Sequence, residues 1–112
     1  MSFDIAEMAK EDYSEAYELW KSTPGIGLSD ADSSCAIGRF LDRNPGLNFV
    51  ARQGGRLVGT CLCGSDGRRG YLYHLAVDPS VRRQGIGQAL VEKTFDALRA
   101  LNIQKCHIMV FE

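Results

Sequence analysis

The residues best placed to do chemistry are Arg82-Arg83-Gln84-Gly85-Ile86-Gly87. Two glycines, one residue apart, let the main chain approach a ligand without Cβ clashes and permit positive φ. An amphipathic segment follows at once. The amides of Arg83 to Gln88 would therefore converge at a helix start, where peptide dipoles favour an anion. Arg82 and Arg83 add cationic side chains that reach phosphate oxygens. No carboxylate lies between Pro79 and Val91 to oppose one. A dinucleotide fingerprint needs a small residue three after the second glycine, and Leu90 stands there. Seven residues also separate Val77 from Gly85, too many for that tight turn. A P-loop needs Gly-Lys-Ser/Thr, which is absent. The spacing alone gives a phosphate-type site of unassigned class.

Other reactive side chains are few. Tyr71, Tyr73 and His74 sit just upstream of the glycine turn. His74 reads first as a satisfied histidine on a sheet face and second as a base. The two tyrosines read first as sheet packing, with a phenol lining an acceptor site as the sharper alternative. Cys35, Cys61, Cys63 and Cys106 lack CxxC spacing, and no HxxxH accompanies them, so no metal is expected. They read as reduced thiols serving as small apolar groups. Asp66, Arg68 and Arg69, in Gly64-Ser65-Asp66-Gly67-Arg68-Arg69-Gly70, read as turn residues and a solvated charge pair.

Elements that would position these residues follow from periodicity. Phe3 to Met8 alternates as a half-buried strand does. Tyr13, Ala16, Tyr17 and Trp20 fall at helical spacing, and Thr23-Pro24-Gly25 ends that helix. Ser29 or Asp30 caps a second helix, Ala31 to Arg43, with Cys35, Ile37, Phe40 and Leu41 inward. Between the helices, Ile26 and Leu28 lie in a glycine-rich connection. Leu47 to Arg52, Arg56 to Cys63 and Tyr71 to Val77 form a three-stranded meander. Along the third strand, Tyr71, Tyr73, Leu75 and Val77 share one face, and Leu72, His74 and Ala76 the other. After the glycine turn, Ile86, Leu90, Ala97 and Leu101 make the inward stripe of a helix ending at Asn102. Lys105 to Phe111 is a last strand, parallel to Tyr71–Val77 through a right-handed crossover.

The composition bounds the function. With 112 residues and 45% apolar content, the chain reads as one domain spanning residues 1–112 with one core. A net charge of −1 gives no global field for nucleic acid or an anionic membrane. No apolar run approaches the roughly 18 residues that would span a bilayer. The acidic N-terminus lacks an apolar signal region, so the cytoplasm is the expected location.

The block Leu75 to Val91, L-A-V-D-P-x-x-R-R-x-G-I-G-x-x-L-V, resembles motif A of the GCN5-related N-acetyltransferase (GNAT) superfamily. That consensus, Q/R-x-x-G-x-G/A, is met by Arg82 to Gly87. The element order β-α-α-β-β-β-α-β also resembles the family. The resemblance implies an α/β fold with a mixed sheet, of the acyl-CoA N-acyltransferase type. It implies that acetyl-CoA is the co-substrate and a primary amine of a small molecule or peptide the acceptor. Main-chain groups of Leu75 and Val77 would hold the pantetheine arm, with a bulge near Ala76 opening the strand. The amides of Arg83, Gln84, Gly85, Ile86, Gly87 and Gln88 would wrap the pyrophosphate, helped by the side chain of Arg82. The amine would attack the thioester directly, and an amide near Leu75 would polarise its carbonyl. Trp20, Ile26 and Leu28 lie where the family shapes its acceptor pocket, and Trp20 reads as core.

Two departures from the pattern shape the expectation. Histone-type members carry a glutamate base on this strand where Tyr71 stands here. The family also continues with a further helix and strand, holding an Asn and a Tyr that protonates the thiolate, beyond Glu112. The resemblance thus implies a domain truncated after its fifth strand; a bare Lys105–Phe111 strand would be an aggregation-prone edge, so a homodimer paired through it is expected. The competing expectation is a CoA-binding module with little or no turnover.

Overall fold

Alternation and turn chemistry build one five-stranded sheet. The computed structural model describes residues 2–108. Strands β1 (Asp4–Glu7), β2 (Phe49–Gln53), β3 (Arg56–Ser65), β4 (Arg69–Val77) and β5 (Lys105–Ile108) lie side by side in chain order. All neighbours are antiparallel except β4 and β5, which are parallel. Helix α3 (Ile86–Ala100) supplies the crossover between that pair. The predicted hairpins turn at Gly54-Gly55 and at Asp66-Gly67. In the second, Asp66 Oδ1 accepts from the amides of Arg68 and Arg69 at 2.8 and 3.0 Å. Those two bonds, the Arg69 amide foremost, lower the pKa of the Asp66 carboxyl.

Two apolar layers cover the sheet. On one face α3 packs Ile86, Leu90 and Leu98 against Val58, Cys61, Cys63 and Leu72. Burial pushes the thiols of Cys61 and Cys63 up, to about 11 and about 12, so both remain neutral. Gly59 lets α3 lie close: a Cβ there would meet Leu90 Cδ1 at 3.0 Å and Ile86 Cγ2 at 3.1 Å. On the other face, helices α1 (Tyr13–Lys21) and α2 (Ser34–Arg43) cover Val50, Leu57, Leu62 and Ala76. Trp20, fully buried, stands at the centre of this layer, and its Nε1 donates to Thr60 Oγ1 at 2.9 Å.

Several expectations need correction. The second helix starts at Ser34, not Ala31. Ser29 caps a single turn at Asp30–Asp32, and Ser33 then caps α2 by accepting from the Ala36 amide. Cys35 is exposed rather than inward. At 3.6 residues per turn it lies about 200° around the helix from buried Ile37. Leu101 is also exposed, at 56%. Helix α3 ends at Ala100, and Asn102 turns left-handed at φ 62°. That folds Ile103 back into the core, its amide donating to Leu98 O at 3.0 Å. Thr94 joins the inward row beside Ala97, which packs partly buried against the core, and its hydroxyl donates to Leu90 O at 2.9 Å. The predicted last strand runs on to Phe111, and residues 109–112 lie outside the described residues.

Candidate active site

The glycine turn forms as the residue types require. Asp78 caps the turn Pro79–Val81 and holds Arg56 Nη1 at 2.7 Å. Bonds from the Ser80 amide and from Arg56 keep its carboxyl below the usual carboxylate range. Arg83 and Gly85 then adopt positive φ, 68° and 82°. Gly85 is the N-cap of α3 and offers no side chain to its first turn. The first helical main-chain bond runs from the Ala89 amide to Gly85 O at 3.0 Å. Among the described residues, the amides of Ile86, Gly87 and Gln88 meet no acceptor. Such donors call for an external acceptor. They open on a groove of about 430 Å³ lined by Leu75, Val77, Val81, Arg82, Arg83, Gly85, Ile86 and Gly87. Arg82 and Arg83 are exposed at its rim and have no acidic partner among the described residues. Two glutamines of the expected set have side-chain partners outside the groove. Gln84 accepts from Gln53, and Gln88 donates to Glu92.

A bulge in β4 re-aims the strand beside this groove. Leu62 pairs with Tyr73, and Thr60 with Ala76, so β4 holds one residue more than β3 across the interval. The extra residue falls at His74-Leu75, and His74 takes φ 48°. It lies just before Ala76, where a bulge was expected nearby. It also overturns the simple alternation of the strand. Leu72 and Val77 pack on the α3 layer, whereas Tyr73 and Ala76 pack on the α1–α2 layer. The pairing of β4 with β5 spans Arg69 to Leu72 among the described residues. The described pairs end there.

On the opposite side of Leu75 lies a second, larger cavity of about 1230 Å³. Its floor and walls include Ile26, Ile37, Phe40, Leu62, Tyr73 and Ile108. Leu75 is 39% exposed and lines both spaces. Ile26 therefore stands where an acceptor wall was expected. Leu28 does not line the cavity; it packs against the core near α1. Tyr73 faces the cavity with its ring edge-on to Phe40 at 6.0 Å. Burial raises its pKa, so the phenol remains a neutral O–H donor. Tyr71 is absent from the cavity wall and stacks on His107 at 5.6 Å. Ala76 is buried and pairs with Thr60.

One group of the cavity escaped the sequence reading. Asp32, 6% exposed, meets His74 Nε2 through Oδ1 at 2.5 Å. Its Oδ2 accepts from the Ser29 amide at 2.9 Å, and its carbonyl from the Tyr13 hydroxyl at 2.5 Å. The His74 ring lies 4.6 Å from Trp20, and its carbonyl accepts from Thr60 Oγ1 at 2.8 Å. In the sequence, Asp32 looks like one more acid at a helix start. Only the fold brings it to a residue 42 positions away.

A bulge and an uncapped helix start thus flank Leu75, which lines both grooves. A profile of the Acetyltransferase (GNAT) family matches residues 6–112. The chain belongs to the GNAT family. It is 33% identical over 109 residues to an acetyltransferase of Pectobacterium atrosepticum, covering 97% of this chain and 77% of that one. It is 34% identical over 113 residues to an acetyltransferase of Photorhabdus laumondii, covering 97% and 76%. Among solved structures, the fold is similar to a GNAT-family acetyltransferase of Staphylococcus aureus. That match has a TM-score of 0.83 at 21% identity, over 96% of this chain and 72% of that one. It is also similar to the PaiA N-acetyltransferase of Thermoplasma acidophilum, solved in complex with coenzyme A. There the TM-score is 0.82 at 20% identity, over 96% and 79%. The five-stranded mixed sheet with three helices is the GNAT fold. Tyr71, at the strand position where the sequence reading expected a glutamate, does not line the cavity and stacks on His107 instead.

Proposed function

We propose that this chain transfers the acetyl group of acetyl-CoA to a primary amine of a small molecule or peptide by direct attack. The observation that carries this reading is the meeting of two grooves at Leu75. One offers free amides and arginines, and the other an apolar space with a few polar groups. In this reading the amides of Arg83 to Gln88 hold the diphosphate, with Arg82 and Arg83 at its rim. The β4 edge at Leu75 and Val77 binds the pantetheine arm as an added strand. The acyl carbonyl then rests near Leu75, where a main-chain amide polarises it. The acceptor enters from the larger cavity and presents its nitrogen to the same point.

Titration calorimetry with acetyl-CoA, followed by thiol release across a panel of amines, tests the proposal. Saturable binding between about 1 μM and 1 mM is expected, with thiol release that depends on the amine. Absence of binding heat would end the reading. Binding without thiol release for any amine would leave a CoA-binding module instead. The reading includes a cytoplasmic setting, which suits four free thiols. It also includes a second copy paired along β5, which stands at the sheet edge. A monomeric mass by light scattering would remove that last part.

A further inference from the structure

We propose that His74, oriented by Asp32, is the general base that takes the proton from the acceptor ammonium. The inference rests on the acetyl-transfer reading and names a residue for a step that reading leaves unassigned. A protonated amine has no lone pair and cannot attack a thioester. Something in the acceptor cavity must remove a proton, and Tyr71 occupies the position where a glutamate was expected.

Four observations converge on His74. It lines the acceptor cavity together with Asp32. It directly precedes Leu75, where the two grooves meet. The bulge gives it positive φ, which turns its ring to the α1–α2 side, against Trp20. And its two nitrogens are inequivalent. Nε2 is engaged by Asp32, whereas Nδ1 meets no hydrogen-bond partner among the described residues. Among the described residues no buried side-chain nitrogen or oxygen lacks a partner, so Nδ1 is not fully buried. A neutral imidazole that donates Nε2–H to Asp32 presents Nδ1 as a proton acceptor. Asp32 is itself fixed by the Ser29 amide and the Tyr13 hydroxyl, so it holds the ring without swinging away. It is a positioning residue, as in other oriented histidine bases.

The step balances without another reagent. The acceptor R–NH3+ gives one proton to His74 Nδ1 and becomes R–NH2. The nitrogen lone pair forms a C–N bond to the acyl carbon, and the C–S bond then breaks. The departing thiolate takes the second nitrogen proton, giving an amide and a free thiol. His74 finally returns its proton to solvent. Other charged or titratable groups face this space. Asp30 and Asp32 come from the turn before α2, and Arg39 and Arg43 from α2. Tyr73 comes from β4, and Tyr13 reaches in from α1 through the Asp32 carbonyl.

The test compares full-length wild type with His74→Asn, His74→Gln and Asp32→Asn. Asparagine tolerates positive φ, so His74→Asn keeps the bulge. In Asp32→Asn the side-chain oxygen can still accept from the Ser29 amide. Wild-type kcat/KM for an aliphatic amine should fall on the acid side. Both His74 variants should lose about 10²–10⁴-fold, and their rate should follow the neutral fraction of the amine, rising with pH toward the amine's own pKa, with acetyl-CoA affinity and melting temperature retained. The deficit should shrink for an amine already neutral at the assay pH. Asp32→Asn should show a smaller loss and a displaced acid limb. Unchanged rates with an unchanged pH profile in His74→Asn would overturn the dyad and leave acetyl transfer standing. A wild type that binds acetyl-CoA and acetylates no amine would overturn both.

Discussion

Gly87→Glu is expected to weaken acetyl-CoA binding by about 100-fold or more, roughly 2.7 kcal/mol, while the fold stands. The position is helical, and a Cβ there would meet only Val77 Cγ2, at 3.5 Å, an ordinary contact. The first turn of α3 carries no acidic residue. A carboxylate at this end would favour the helix by about 0.3–1 kcal/mol through its dipole. Stability should therefore hold or rise slightly. The same carboxylate would occupy the amides of α3 and repel a diphosphate at short range. Gly87→Ala, which adds bulk without charge, should lose far less. Calorimetry and a melting curve on each variant check this. Affinity within threefold of wild type for Gly87→Glu would mean that the helix start does not bind the cofactor.

Trp20→Ala should cost about 3–5 kcal/mol of stability, a large share of the roughly 5–15 kcal/mol typical of a domain. Trp20 is fully buried, lies edge-on to Tyr13 at 6.5 Å and rests against His74. Its removal opens a cavity in the α1–α2 layer, against His74. Trp20→Phe separates packing from polar effects. It keeps an aromatic ring but loses part of the indole volume and the bond to Thr60 Oγ1, whose hydroxyl still donates to the His74 carbonyl. A cost of about 1–2 kcal/mol is expected there. Urea unfolding of both variants is the measurement. If Trp20→Ala costs less than about 1 kcal/mol, the α1–α2 layer is not organised around this side chain.

What was readable in the chain, and what was not, divides along physical lines. Strand, break, glycine turn and helix are local, set by alternation, Asp78-Pro79 and the glycines. All of them formed where periodicity placed them. The core role of Trp20 and the turn role of Asp66 were local as well. Errors arose where one residue altered the phase of many. The bulge at His74-Leu75 reversed the facing of the residues after it, and no residue type there announces it. Asn102 sent Leu101 outward and Ile103 inward by a single left-handed step. The Asp32–His74 pair was invisible for another reason. Its partners lie on a turn and a strand that meet only when α1 and α2 close over the sheet.

The bulge also divides β4 into two stretches that natural variation can alter separately. Upstream, Tyr73 and His74 address whatever enters the larger cavity. Downstream, Val77 and the turn beyond it line the groove at the start of α3. Because the extra residue shifts the facing between them, a change at position 73 need not disturb position 77, although both lie on one strand. A chain built this way can change the lining of one groove while that of the other stays intact.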